Sequence, residues 1–234
     1  MVNPTVVRSI INISTQVQLE IATSYPTIQS SKLAVCLHPW SWLGGNMNDY
    51  VIHSLVRLLQ RKDYHVRYYN SRGVGKSTGS ASFTGKPEAD DLKALIDQSL
   101  DEMPHIDSVT VIGYSYGALI ASLQPVLFRV KSTSHILLSY PLSPRGFLTM
   151  FNTKNYVSVL SSLLRDPNAN VLVMFGEDDE FTSKTKYHAW VKSLEQQVLS
   201  GTTMKVVSVP GASHFWGSGE ASRLLEETIG NWLQ

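Results

Sequence analysis

Val109-Thr-Val-Ile-Gly-Tyr-Ser115-Tyr-Gly-Ala-Leu-Ile-Ala-Ser122 is the stretch that decides the fold. Its first four residues are β-branched and read as a strand. Its last five read as a helix. Between them Gly113-Tyr-Ser115-Tyr-Gly117 matches G-x-S-x-G, and the strand before and helix after are the setting that this motif requires. Glycines on either side let strand and helix approach without a Cβ clash. A serine there stands on a sharp, strained turn with its hydroxyl above the sheet. The helix behind it aims free amides and the positive end of its dipole at that hydroxyl. Ser115 is therefore the candidate nucleophile.

Outward from this point the same alternation continues. Val6–Ile13 and Val17–Ala22 read as a hairpin-like strand pair. Leu33–Leu37, His65–Tyr69, Ser108–Gly113, Ile136–Tyr140, Val171–Phe175 and Lys205–Val209 read as further strands. Helical spacing marks Asp49–Arg61, Glu88–Met103, Tyr116–Phe128, Tyr156–Leu164, Lys184–Leu199 and Glu220–Leu233. Strands alternating with helices imply parallel strands joined by right-handed crossovers. The expectation is an α/β fold: a mostly parallel sheet of about eight strands with helices on both faces, residues 1–234 forming one domain. In such sheets ligands sit at the carboxyl ends of the strands.

A serine hydroxyl is a poor nucleophile and needs a base within hydrogen-bond reach, itself oriented by a third group. His214 lies in Pro210-Gly-Ala-Ser-His-Phe-Trp216, directly after a strand, where such a base belongs. His135 falls at the start of a strand, the wrong end, and His188 lies mid-helix beside Lys186 and Lys192 on what reads as a solvated face. The acid should follow the preceding strand. There Gly176-Glu-Asp-Asp-Glu-Phe181 offers four carboxylates, and the residues alone leave the choice open between Asp179 and Asp178. Transition-state charge calls for two amide donors: that of Tyr116, next to the serine, and one from His38-Pro-Trp-Ser-Trp-Leu-Gly-Gly45. Pro39 has no N–H, which leaves Trp40, then Ser41. His38 is expected to brace this loop.

Taken together, His38-Pro-x with Gly44-Gly45, Asn70-x-Arg-Gly-x-Gly-x-Ser77, Gly113-x-Ser-x-Gly117, Gly176-x-x-Asp179 and Gly211-x-x-His214 resemble the α/β-hydrolase superfamily, over roughly residues 33–234. The set is most similar to small, lid-poor serine hydrolases of the esterase, thioesterase and dienelactone-hydrolase-like kind. The resemblance implies Ser115, Asp179 and His214 as nucleophile, acid and base, and Trp40 and Tyr116 as oxyanion donors. Pro39 departs from the family, where glycine is common. Only Pro141–Asn155 is available for a lid. Trp42, Tyr114, Phe147, Phe151 and Phe215 are expected to line a pocket for a small or medium acyl group, with Trp216 and Met150 nearby.

The implied activity is hydrolysis of a small-molecule carboxylic ester or thioester through an acyl-enzyme. Two alternatives stand beside it: non-hydrolytic chemistry on the same fold (a cyclase, lyase or acyltransferase step), and a catalytically dead binding module. No cofactor or metal is implied, since the histidines do not pair with Cys or carboxylates at ligand spacing. Gly73-Val-Gly-Lys-Ser-Thr78 looks like the tail of a phosphate-binding loop, but Asn70 stands where its first glycine belongs and no helical period follows. Arg72 is expected to make a structural ion pair.

The chain has 234 residues, 43% hydrophobic and 17% charged, so it can bury a sizeable core. Lys plus Arg (20) nearly balance Asp plus Glu (19). That argues against a dedicated nucleic-acid or membrane-surface binder, which needs a basic excess. No apolar run is long enough to span a membrane. The one cysteine, Cys36, sits in an apolar run and reads as core, and no signal peptide is evident, so the cytoplasm is the expected location.

Overall fold

The computed structural model describes residues 5–142 and 153–233. Its strands are β1 (Thr5–Asn12), β2 (Gln18–Tyr25), β3 (Lys32–Leu37), β4 (His65–Tyr69), β5 (Ser108–Tyr114), β6 (Ser132–Leu138), β7 (Ala169–Gly176) and β8 (Thr203–Val209). They form one sheet in the order β1-β2-β4-β3-β5-β6-β7-β8. β2 runs antiparallel to β1 and β4, and every other pairing is parallel. The helices are α1 (Tyr50–Arg61), α2 (Lys86–Glu102), α3 (Tyr116–Ala121), α4 (Thr153–Leu164), α5 (Lys184–Glu195) and α6 (Gly219–Trp232).

Period-two alternation divides the central strands between two cores. Leu33, Val35, Leu37, Val109 and Val111 face a layer built from α2, α3, α4 and α5. Ala34, Cys36, Ile112 and Tyr114 face α1 and α6. Both faces are covered, which is why these strands read as continuous apolar runs. Cys36 is fully buried, and burial pushes its thiol up to about 12, so it is an inert core residue.

The chain leaves β3 through α1 to β4 on one side, then returns through α2 to β5 on the other. Crevices open where strand order reverses in this way. Register makes the ends level. Leu37 lies beside Gly113, Tyr114 beside Leu138, and Gly176 beside Val209. The loops after β3, β5, β7 and β8 therefore emerge along one rim.

Several boundaries differ from the expectation. The helix expected over Tyr116–Phe128 stops at Ala121. Leu123 and Gln124 donate to Ile120 and Ala121 in tight i→i−3 turns, and Pro125 cannot donate at all. β6 begins at Ser132 rather than Ile136, so His135 lies mid-strand, fully buried, its Nε2 2.8 Å from the Gln124 carbonyl. α5 ends at Glu195 rather than Leu199, short of Gly201. After β4, no helix follows Gly73–Thr78 until Lys86. That segment instead folds onto β2, with the Lys76 amide donating to Glu20 at 2.9 Å and Ser77 Oγ to the Asn70 carbonyl at 2.6 Å. A carboxylate occupying the Lys76 amide is the opposite of a phosphate site.

Candidate active site

β5 delivers Ser115 to the rim in a conformation that ordinary L-residues avoid, φ 55° and ψ −119°. Glycine makes the turn possible on both sides. A Cβ at Gly113 would fall 2.1 Å from the Gly117 carbonyl oxygen, and one at Gly117 would fall 2.4 Å from that of Leu37. The Ser115 amide is anchored to the Leu138 carbonyl at 2.9 Å. Tyr116 opens α3, so its amide is one of those a helix leaves without an intrahelical acceptor.

His214 arrives from the loop after β8. Its Nε2 is 2.9 Å from Ser115 Oγ, and its Nδ1 is 2.6 Å from Asp179 Oδ2. Asp179 arrives from the loop after β7. Its Oδ1 accepts from the amides of Phe181 and Thr182 at 2.9 and 2.8 Å, and its Oδ2 also accepts from Tyr187 Oη at 3.1 Å. Burial is the largest single influence on this carboxyl and pushes its pKa up. The hydrogen bond and charge of His214, with the two amides, outweigh burial and hold it below the usual carboxylate range. Asp178 is exposed.

The two loops are locked together. Asp178 N–H donates to the Ala212 carbonyl at 3.0 Å, and a Cβ at Gly176 would lie 2.1 Å from that same oxygen. The backbone of His214 is held at both ends: its N–H donates to Glu180 Oε2 at 2.8 Å, and its carbonyl accepts from Tyr114 Oη at 3.0 Å. Glu180 went unread in the sequence as a positioning group. His188 is exposed on α5, away from this array.

The loop after β3 closes the other side. His38 Nδ1 lies 2.6 Å from the Pro39 carbonyl, and its Nε2 accepts from the Ser71 amide at 3.0 Å. Burial lowers its pKa to about 4, partly opposed by the Pro39 carbonyl, so the ring is a neutral brace. The Trp40 carbonyl accepts from Leu43 and Gly45 N–H, both at 3.1 Å, curling the loop into a 3₁₀ turn at Ser41–Leu43. Below it, Arg72 makes two bonds to Asp91, at 2.7 and 2.6 Å, a structural pair of the bidentate kind.

A cleft of about 190 Å³ opens above Ser115 and His214. Of the expected pocket residues, Tyr114 and Phe215 line it. Trp42 does not: it stacks on Trp40 with centroids 5.9 Å apart and turns outward, its edge contact being with Phe83. Trp216 is core, fully buried, donating to Ser139 Oγ at 2.9 Å. Phe147, Met150 and Phe151 lie outside the described residues. Leu43, Asp49, Pro141 and Phe181 line the cleft without having been read from the sequence. Asp49 was legible only as the first residue of the helical stretch Asp49–Arg61, and Phe181 as the residue two beyond the acid. The Phe181 ring meets His214 edge-on at 4.7 Å.

Among the described residues no cluster of three or more His, Cys, Asp or Glu is placed to hold a metal ion. No described helix is long and apolar enough to cross a membrane.

The α/β hydrolase fold family matches residues 35–124, the span from β3 through the serine turn. The chain has the α/β-hydrolase fold. Other proteins extend the likeness over the length of the chain. An uncharacterized protein of Schizosaccharomyces pombe is 25% identical over 226 residues, covering 95% of this chain and 96% of that one. The solved structure of a serine hydrolase homologue from Coxiella burnetii superposes with a TM-score of 0.75 at 26% identity, covering 97% of each chain. A lidless serine hydrolase from Xanthomonas campestris has the same fold, with a TM-score of 0.74 at 22% identity, over 98% of this chain and 93% of that one.

Proposed function

We propose that this protein of α/β-hydrolase fold is a serine hydrolase that cleaves a small carboxylic ester or thioester. The observation that carries this reading is the continuous chain Ser115 Oγ–His214 Nε2 (2.9 Å) and His214 Nδ1–Asp179 Oδ2 (2.6 Å) at the floor of a cleft. In this mechanism His214 takes the Ser115 proton as Oγ attacks the carbonyl carbon. The carbonyl π pair moves onto oxygen, where the amides of Trp40 and Tyr116 are the proposed donors. Asp179 keeps the proton of neutral His214 on Nδ1 and stabilises the imidazolium. His214 then gives its proton to the departing alcohol or thiol. Water, deprotonated by His214, attacks the acyl-enzyme, and collapse returns Ser115 and releases the acid.

The position of Asp179 supports this assignment over Asp178, because Asp179 is buried and bonded to the ring while Asp178 faces solvent. Intact-mass analysis after a fluorophosphonate probe tests the reading. The expected result is a single adduct on the wild type, absent from Ser115→Ala. An unlabelled, well-folded wild type, or labelling that survives Ser115→Ala, overturns it.

A further inference from the structure

Asp49 is the one charged side chain among the described residues that line the cleft. It lines the same cleft as Ser115 and His214, on the turn that leads from the β3 loop into α1. One of its oxygens is committed: Oδ1 accepts from the Val51 amide at 2.8 Å and caps α1. No Lys or Arg shares the described cleft wall, and Asp49 has no ion-pair partner among the described residues. Burial pushes its carboxyl above the usual range, opposed by the Val51 and Ile52 amides and by His53 and His214. Apart from Ser115 and His214, the other described residues of the wall are aromatic, apolar or glycine, with Trp40, Tyr114, Phe181 and Phe215 facing the same space.

A carboxylate held in a cleft carries a desolvation cost unless a counter-charge arrives with the ligand. Aromatic faces attract cations by their quadrupole and reject nothing apolar. The two features together select one kind of small ligand: an organic cation whose apolar body packs on the rings. A neutral acyl chain would bring no counter-charge to Asp49, and an anionic one would be repelled.

We infer that Asp49 is a specificity-determining residue, and that the substrate ester or thioester carries an ammonium group which Asp49 pairs while the cleft aromatics pack around it. This rests on the serine-hydrolase reading above. It commits the substrate class to amino-acyl or amino-alkyl esters, without altering the bond made or broken.

The test uses matched pairs that differ by charge at nearly constant shape. On the acyl side these are the p-nitrophenyl esters of 3-aminopropanoate and butanoate. On the alcohol side they are choline butanoate and its carbon isostere 3,3-dimethylbutyl butanoate. Initial rates are corrected for uncatalysed hydrolysis. The expected result is at least about a tenfold preference in kcat/KM for the cation in one pair, falling to less than about twofold in Asp49→Asn. Asparagine retains the helix cap, and thermal melting checks the fold. A preference that survives Asp49→Asn, or turnover of the esters with no preference in either pair, overturns this inference and leaves the hydrolase reading standing. No turnover of any ester together with no fluorophosphonate adduct overturns both.

Discussion

Replacing Asp179 with asparagine tests the reading of the site more sharply than deleting the nucleophile, because the substituted amide has to choose an orientation. Oδ1 receives the Phe181 and Thr182 amides at 2.9 and 2.8 Å. Turning the new NH₂ group toward them would set donor against donor and leave two amides unpaired. At about 1–3 kcal/mol for each lost acceptor, that orientation costs about 2–6 kcal/mol and is populated at about 3% or less. The carbonyl oxygen therefore stays with the amides, and the NH₂ group takes the place of Oδ2, 2.6 Å from His214 Nδ1. Nδ1 must then accept, so the ring proton moves to Nε2, which faces Ser115 Oγ at 2.9 Å. A protonated Nε2 has no lone pair with which to take the serine proton. In serine-protease triads this wrong tautomer costs about 10⁴ in kcat, or about 5.4 kcal/mol of barrier.

The fold should survive, since volume and the Oδ1 bonds are kept and Tyr187 can reverse its hydroxyl to accept. The assay is p-nitrophenyl ester turnover with thermal melting alongside. The expected outcome is a fall of about 10⁴ in kcat with melting within a few degrees of wild type. A folded variant within tenfold of wild type refutes the assignment of Asp179 as the group that sets the tautomer.

Two further outcomes follow from groups described above. His135 is fully buried, and burial lowers its pKa to about 4, partly opposed by the Gln124 carbonyl. Below pH 6.5 the unfolded chain gains a proton that the folded chain refuses, so stability is full above that pH and falls toward pH 4. Linkage gives a loss of about 2 kcal/mol between pH 8 and pH 5 from this ring. His135→Gln, which keeps a donor toward Gln124, should flatten urea-unfolding stability over that interval by the same amount, and an unchanged pH dependence would contradict it. Gly117→Ala puts a methyl 2.4 Å from the Leu37 carbonyl oxygen and 2.8 Å from that of His38, both main chain. It should lower the melting temperature by roughly 4–8 °C and slow fluorophosphonate labelling at least about tenfold, whereas a wild-type melt and labelling rate would show that the turn has slack.

Much of this arrangement was legible in the sequence because local and global signals agree. The four β-branched residues before Gly113 and the helix after Gly117 describe the serine turn without any tertiary information. Covered strands announce themselves as apolar runs, as Leu33–Leu37 does. Positions decided by tertiary context were harder. α3 ends at Ala121 although apolar residues continue to Phe128, because Pro125 breaks the ladder and Phe128 ends fully in solvent. Ser132–Ser134 look polar but belong to β6, where Thr133 and His135 are buried and His135 bonds a backbone carbonyl. Position alone narrowed the acid to neighbours and the Gly-x-x-Asp resemblance favoured Asp179, since Asp178 and Asp179 differ only in which way one turn points them. Of the aromatics, Trp42 and Trp216 lie in stretches rich in site residues, yet one faces solvent and the other the core. The cleft position of Asp49 had no sequence signal, because the residue read only as the start of a helical stretch.

The order of strands has a further consequence for how reactivity is acquired. Ser115 leaves β5 near the centre of the sheet, while Asp179 and His214 come 64 and 99 residues later, from the loops after β7 and β8 at one edge. A refolding chain that has joined β3, β5 and β6 already owns the strained turn, but its hydroxyl is chemically ordinary. Only when the last two strands zip onto β6, with Gly176 seated against Ala212, does Ser115 gain its hydrogen bond to His214, the proposed base. Susceptibility to a phosphonate is thus a timestamp on the final docking event. It should lag the recovery of helix signal, and it turns a chemical label into a clock for the edge of the sheet.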